Sequence, residues 1–218
     1  KYIIYSIICK KNKGVKKSEK ENVMEKIKEI KENERIDDLG LKDLKIIQDT
    51  EGFCFGIDAV LLSDFAKNLK KDAKVLDLGT GTGIIATLLC GKTNLSKVIG
   101  IEIQSEVADM ARRSIILNQL ENRFEIINDN IHHIFNHLEK NSFDVIVTNP
   151  PYQKKDAGVV NDREKKLISR HDITATLEDF IRVSKEALKD KGEFYMVHRP
   201  DRLVDILSMM REYRIEPK

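Results

Sequence analysis

The chain has 218 residues, 41% of them hydrophobic and 34% charged, with a formal net charge of +2; that is enough for one domain with a substantial core and too little charge for the global basic field of many nucleic-acid binders. Its three cysteines, Cys9, Cys54 and Cys90, lack metal-ligand spacing, and their odd number argues against a disulfide framework. The apolar run Tyr2 to Cys9 is too short for a membrane span or a signal core and its lysines follow rather than precede it, so a cytoplasmic protein with reduced thiols is expected.

Residues 1–34 read as a charged N-terminal extension: Lys10 to Lys31 is of low complexity and contains Met24. The folded domain is expected over residues 35–218. Its first helix is expected over Ala59 to Asn68, with Asp58 as N-cap. From residue 74 onward, strands and helices alternate. Lys74 to Leu78 is an apolar strand that runs into Asp77-Leu78-Gly79-Thr80-Gly81-Thr82-Gly83 and a helix over Ile84 to Cys90. Gly79, Gly81 and Gly83 permit positive φ and close approach of a ligand, and the helix N-terminus behind them favours electronegative groups. The Gly-x-Gly-x-Gly spacing is neither that of a nicotinamide dinucleotide fold nor that of a phosphate loop ending in Gly-Lys-Ser/Thr.

The next strand, Lys97 to Ile101, ends at Glu102, an acid able to accept both hydroxyls of a ribose. After a helix over Ser105 to Gln119, the strand Phe124 to Asn128 ends at Asp129-Asn130, whose carboxylate and amide suit an adenine amino edge. A helix is expected over Ile131 to Leu138. It carries His132, His133 and His137, and because no third ligand or acid is evident it is read as a solvated face, with no metal site. The strand Phe143 to Thr148 leads into Asn149-Pro150-Pro151-Tyr152. A helix over Leu177 to Leu188, a strand over Glu193 to Val197 and a helix over Asp201 to Tyr213 complete the series. Five such β-α units predict an α/β fold, a doubly wound and mainly parallel sheet with its site at the carboxyl ends of the strands.

Asn149 to Tyr152 points to a particular chemistry. An exocyclic NH2 on a base or amide delocalises its lone pair into the attached π-system and is a poor nucleophile until its hydrogens are accepted. The Asn149 side-chain oxygen and the Pro150 carbonyl can accept two hydrogens, the paired prolines stiffen the turn, and Tyr152 offers a ring for a planar substrate. With the glycine turn upstream, this describes methyl transfer to an amino nitrogen, with Asn149, Pro150, Pro151 and Tyr152 as the catalytic turn.

In this order the elements resemble a class I S-adenosylmethionine-dependent, Rossmann-like methyltransferase of the amino-group type. The resemblance implies S-adenosylmethionine as cofactor and S-adenosylhomocysteine as product. It implies that Asp77 with Gly79, Gly81 and Gly83 holds the methionine end, Glu102 the ribose and Asp129 with Asn130 the adenine, with Asn149 beside the cofactor. Gly52 to Leu62, Ser169-Arg170-His171-Asp172 and Val197-His198-Arg199-Pro200-Asp201-Arg202-Leu203 are similar to the tRNA1(Val) adenine-N6 methyltransferase family, which modifies the adenosine 3′ of the anticodon. Through the Phe55-Gly56-x-Asp58 segment, the resemblance also places Phe55 and Asp58 at the methionine end. Class I enzymes add two further strands after the fifth helix, and this chain ends at Ile215 to Lys218, so the sheet is expected to lack them.

The implied partner is tRNA, with no membrane and with a monomer favoured. A target base must be flipped or already unstacked to reach a methyl donor, and the flanking phosphates must then be held. Lys154, Lys155, Arg163, Lys165, Lys166 and Arg170 follow the catalytic turn and are the first candidates; Arg199 and Arg202 are the second. Two other readings stand beside this one: glutamine-N5 methylation of release factors, whose amide suits the same turn, and a non-catalytic RNA-binding subunit of the same fold.

Overall fold

A computed structural model describes residues 30–52, 54–152 and 175–218. Five parallel strands form the main sheet: β3 (Lys74–Leu78), β4 (Lys97–Ile101), β5 (Phe124–Ile127), β6 (Phe143–Thr148) and β7 (Leu188–Met196), in the spatial order β5-β4-β3-β6-β7. They are near-continuous apolar runs because both faces are covered. Val75, Val98, Val145 and Val147 turn to one face, against α1 (Ile57–Phe65), α2 (Ile84–Lys92) and α3 (Ser105–Leu117). Leu76, Leu78, Ile99, Ile101 and Ile146 turn to the other, against α4 (Leu177–Ala187) and the 3-10 segment Ile131–Asn136. That period-2 alternation is the pleat of the strands.

The chain runs from β3 outward to β4 and β5, then returns to the other side of β3 to lay down β6 and β7. This reversal opens a crevice beyond the carboxyl ends of β3 and β6, where parallel α/β sheets bind ligands. Register makes the crevice level. Leu78 pairs with both Ile101 and Thr148, so Gly79, Glu102 and Asn149 each stand one residue past the sheet. The Thr148 hydroxyl, donating to the Leu78 carbonyl at 2.8 Å, ties the two central strand ends together.

Several boundaries differ from the sequence expectation. The first helix begins at Ile57, with Gly56 as N-cap and no side-chain cap, so Asp58 lies in its first turn and caps nothing; its carboxylate is drawn instead to Tyr152. Ile131–Asn136 is a 3-10 helix, capped by the Asn130 side chain accepting from the His132 N–H at 3.0 Å. The final helix is split, with a 3-10 turn at Pro200–Arg202 before α5 (Leu203–Glu212). β7 starts directly at the end of α4, and the register jumps between Phe143–Leu188 and Val145–Glu193.

An antiparallel hairpin, β1 (Glu34–Asp38) with β2 (Lys45–Asp49), was not anticipated as strands. It is fixed to α3 by polar contacts. Arg113 donates to both Glu34 oxygens at 2.6 Å, the Ser114 hydroxyl accepts from the Ile47 N–H at 2.9 Å, and Asn118 bonds both the N–H and the carbonyl of Lys45.

Candidate functional site

Asp77, the last residue but one of β3, is completely buried. Its Oδ2 accepts from the Thr80 hydroxyl at 2.7 Å, while Oδ1 has no hydrogen-bond partner among the described residues. Burial pushes its carboxyl up to about 7; the nearby Glu102 charge pushes the same way, and Thr80 and the Ala86 amide oppose it. A buried carboxylate near the carboxyl end of β3, with one oxygen that makes no hydrogen bond of good geometry, suits a cationic or hydrogen-bonding ligand group.

The loop beyond it folds as its glycines predict. Gly79, Gly81 and Gly83 have φ of 69°, 59° and 85°. Gly83 also lies against the Phe124 ring, which an added Cβ would meet at 3.0 Å, whereas the space in front of Gly81 is open. Open space at a left-handed glycine leaves bare backbone for a ligand to approach. Glu102, only 5% exposed, bridges this loop to the end of β4: Oε2 accepts from the Gly81 N–H at 3.0 Å and Oε1 from the Gln104 N–H at 2.9 Å. Ile103, next to it, leaves an apolar side chain partly exposed, a surface that suits the face of a flat ring. Sequence reading gave Ile103 no role, since a lone isoleucine after a strand carries no signal.

At the end of β5, Asp129 is engaged by its neighbours. Its oxygens lie 3.2 Å from His133 Nδ1 and 2.7 Å from His137 Nε2, and Oδ1 accepts from the Asn130 N–H at 2.7 Å. The His137 hydrogen bond, with those of Asn130 and His133, holds the Asp129 carboxyl below its ordinary range. An acid, Asp129, therefore does sit between the two histidines, which are themselves exposed to solvent as a solvated face requires. Among the described residues no group of three or more His, Cys, Asp or Glu is arranged to hold a metal ion, and no helix is long and apolar enough to cross a membrane.

Across the crevice, the Asn149 to Tyr152 turn leaves β6 with Pro150 buried, Pro151 exposed, and Asn149 and Tyr152 half-buried. The Tyr152 hydroxyl lies 2.6 Å from Asn149 Oδ1 and 3.2 Å from Asp58 Oδ2, donating its one proton between them. Burial and the Asp58 charge push that phenol up to about 12, so it stays a donor at physiological pH. Residues past β7 complete the wall. His198 meets the Tyr152 ring edge-on at 5.0 Å, and the Arg199 guanidinium stands over the same ring, 5.4 Å from its centroid. The Arg199 N–H donates to His198 Nδ1 at 2.8 Å, and burial, with the Arg202 and Arg199 charges, lowers the His198 pKa. The lowered pKa favours a neutral His198 ring, and the short Arg199 N–H contact uses Nδ1 as acceptor. Nothing in the sequence around His198 signals the ring contact, because its partner Tyr152 lies in a distant segment.

The structure brings Phe55, Asp58, Asp77, Gly79, Gly81, Gly83, Glu102, Asp129, Asn130, Asn149, Tyr152 and Arg199 to the carboxyl end of the sheet or the segments bordering it. Lys154, Lys155, Arg163, Lys165, Lys166 and Arg170, with His171 and Asp172, lie outside the described residues.

Residues 56–212, which span this whole arrangement, match the family model of the methyltransferase small domain. The chain belongs to that family. Curated relatives carry the name tRNA1(Val) (adenine(37)-N6)-methyltransferase: one from Porphyromonas gingivalis is 32% identical over 167 residues, covering 73% of this chain and 64% of the relative. One from Bacteroides thetaiotaomicron is 28% identical over 161 residues, covering 73% and 65%. The chain thus spans slightly less than two thirds of these relatives. Among solved structures, Pyrococcus horikoshii TYW2 in complex with MeSAdo superposes with a TM-score of 0.60 at 17% identity, over 84% of this chain and 62% of that one. A predicted O-methyltransferase from Agrobacterium tumefaciens gives 0.55 at 20% identity, over 70% and 66%. These structures share the Rossmann-like sheet described above.

Proposed function

We propose that this domain transfers a methyl group from S-adenosylmethionine to the exocyclic N6 of an adenosine in tRNA, next to the anticodon, in the cytoplasm. The observation that carries the reading is the level placement of Asn149 beside Gly79 and Glu102: an acceptor turn for an amino group stands across the crevice from a ligand-receiving loop. The names of the relatives, adenine-N6 methyltransferases, support the choice of a base over an amide.

The residues present fit the cofactor. Asp77 presents a buried oxygen without a donor, Gly81 presents open backbone, and Glu102 and Asp129 are carboxylates suited to hydroxyl and amino groups. In this reading Phe55, Asp58, Asp77 and the glycine loop hold the methionine end, Glu102 the ribose, and Asp129, Asn130 and Ile103 the adenine. Bound there, the cofactor supplies an electrophilic methyl on a sulfonium.

The chain's own residues then do the positioning. Asn149 Oδ1 and the Pro150 carbonyl accept the two amino hydrogens, which turns the nitrogen lone pair toward the methyl, and the prolines hold both acceptors in place. The target base stacks on Tyr152, while Arg199 and the Lys154 to Arg170 cluster hold the flanking phosphates. No dedicated base is needed, since the proton leaves to solvent after the methyl has moved. The test is incubation of the protein with labelled S-adenosylmethionine and an unmodified tRNA1(Val) transcript, followed by nucleoside mass spectrometry. N6-methyladenosine at the position 3′ of the anticodon is expected. Methylation of a release-factor glutamine with none on tRNA would replace this substrate with the protein amide.

A further inference from the structure

Gln48, on β2, is only 1% exposed and lies outside the crevice, yet its carboxamide is engaged at both ends. Nε2 donates to Asp37 Oδ2 on β1, and Oε1 accepts from the Phe55 backbone N–H at 2.9 Å. A carboxamide so placed has one orientation, because flipping it would set its oxygen against the Asp37 carboxylate and its NH2 against the Phe55 N–H. Asp37 therefore decides which way Gln48 faces, and Gln48 holds the backbone of Phe55, whose side chain packs against the core. Three residues on, Asp58 accepts from the Tyr152 hydroxyl, which also reaches Asn149. The stretch between is weakly held: Gly56 is exposed and Ile57 is 66% exposed. The hairpin that carries Gln48 is, by contrast, fixed to α3 through Glu34 and Arg113.

We infer that Gln48 is a positioning residue for the site. By tying the Phe55 N–H to the β1–β2 hairpin, it holds the Phe55 to Asp58 segment at the depth where Asp58 meets Tyr152, keeping that segment in register with the Asn149 to Tyr152 turn. The choice of ligand for its test rests on the cofactor reading above. If the bond only closed a loop, its loss would lower stability and nothing else.

Three full-length variants separate these cases: Gln48→Leu, Gln48→Glu, and Gln48→Glu with Asp37→Asn. Glu at 48 keeps an acceptor for Phe55 but sets a carboxylate against Asp37; Asn at 37 then restores a donor with the polarity reversed. Two quantities are measured, the affinity for S-adenosylhomocysteine by calorimetry and the Tyr152 Cζ resonance of the ligand-free protein by 13C NMR. Removing the partner of a half-buried N–H and loosening the segment should weaken binding about tenfold in Gln48→Leu and move the tyrosine resonance. Gln48→Glu should do likewise, and the double variant should return both toward wild type. Phe143→Leu, in the core at the opposite end of β6, serves as a control with lowered melting temperature and should change neither.

Wild-type affinity and an unmoved resonance in Gln48→Leu would overturn the inference. So would a double variant no better than Gln48→Glu, or a Phe143→Leu protein with the same losses. If wild-type protein fails to bind S-adenosylhomocysteine, the cofactor reading falls, and the tyrosine resonance still judges Gln48.

Discussion

At the ends of β3 and β4, Asp77, Thr80, Gly81 and Glu102 bond one another from a short stretch of chain and are mostly buried, whereas at the ends of β6 and β7, Asp58, Asn149, Tyr152, His198 and Arg199 meet from three distant segments and are half-exposed or exposed. The first wall is shaped by backbone conformation and desolvation. The second is shaped by contacts between side chains. A site built this way should separate under mutation: changes in the first wall should register in proton linkage and cofactor affinity, and changes in the second in rate and nucleic-acid binding.

The largest separable effect is expected at Asp77. Its folded carboxyl, at about 7, lies above its ordinary value near 3.8, so the folded protein keeps a proton that the unfolded chain has released. Its contribution to stability is whole below about pH 4 and is lost as pH rises to about 7, by at most about 4 kcal/mol. Denaturant titrations across that range should show a shallower decline for Asp77→Asn than for wild type, and parallel curves would mean that burial does not tune this group. A cationic ligand group beside Asp77 favours its charged form, so cofactor binding near pH 7 should release protons, detectable as a dependence of the calorimetric heat on buffer ionisation.

Asn149→Ala should lower turnover by about a hundredfold, roughly 2.7 kcal/mol, the scale for one preorganised hydrogen-bonding group, while S-adenosylhomocysteine affinity stays near wild type. A variant that turns over normally would make Asn149 to Tyr152 a structural turn only. On the opposite wall, Glu102→Ala should weaken the cofactor about tenfold, through lost ribose contacts and the freed Gly81 N–H, with turnover at saturating cofactor little changed. Gly81→Val would fill the open space at a φ of 59° and should weaken binding as well; equal affinity in either variant would move the cofactor elsewhere.

The smallest effects should distinguish two properties of Tyr152. Tyr152→Ala removes the ring and should weaken tRNA binding by about 1 to 3 kcal/mol if a base stacks there. Tyr152→Phe keeps the ring and loses only the hydroxyl bridge to Asn149 and Asp58, so tRNA affinity should hold within about twofold while turnover falls by less than in Asn149→Ala. Identical behaviour of the two variants would assign the role of Tyr152 to its hydroxyl.

Much of the first wall was legible because it is local. Gly79, Gly81 and Gly83 sit at three alternate positions that take positive φ, and no other residue type serves as well there. Glu102 directly follows an apolar run and Asp129 stands two residues past the end of β5, so strand direction alone delivers them to the sheet's carboxyl edge. The second wall was legible only in part. Asn149 to Tyr152 stands out by composition, but the partners of Tyr152 come from positions 58, 198 and 199, and no local pattern reports a contact across 94 residues. From its local sequence alone Asp58 reads as a helix cap, and only the family resemblance places it at the site. The hairpin leaves little trace in the sequence because its alternation is faint and its docking depends on Arg113, Ser114 and Asn118 of α3.

By itself, then, the amino-acid sequence determined the alternation of strands and helices, the parallel sheet, the glycine loop and the acceptor turn. These follow from hydrophobic periodicity, backbone conformation and the few residue types able to do the chemistry. The tertiary structure alone decided the reversal of strand order at β3, the common level of Gly79, Glu102 and Asn149, the elevated proton affinity of Asp77, and the bridge from Asp58 to Tyr152. Each of these depends on which segments become neighbours and on how much water they exclude, quantities set by packing between parts of the chain that lie far apart in sequence.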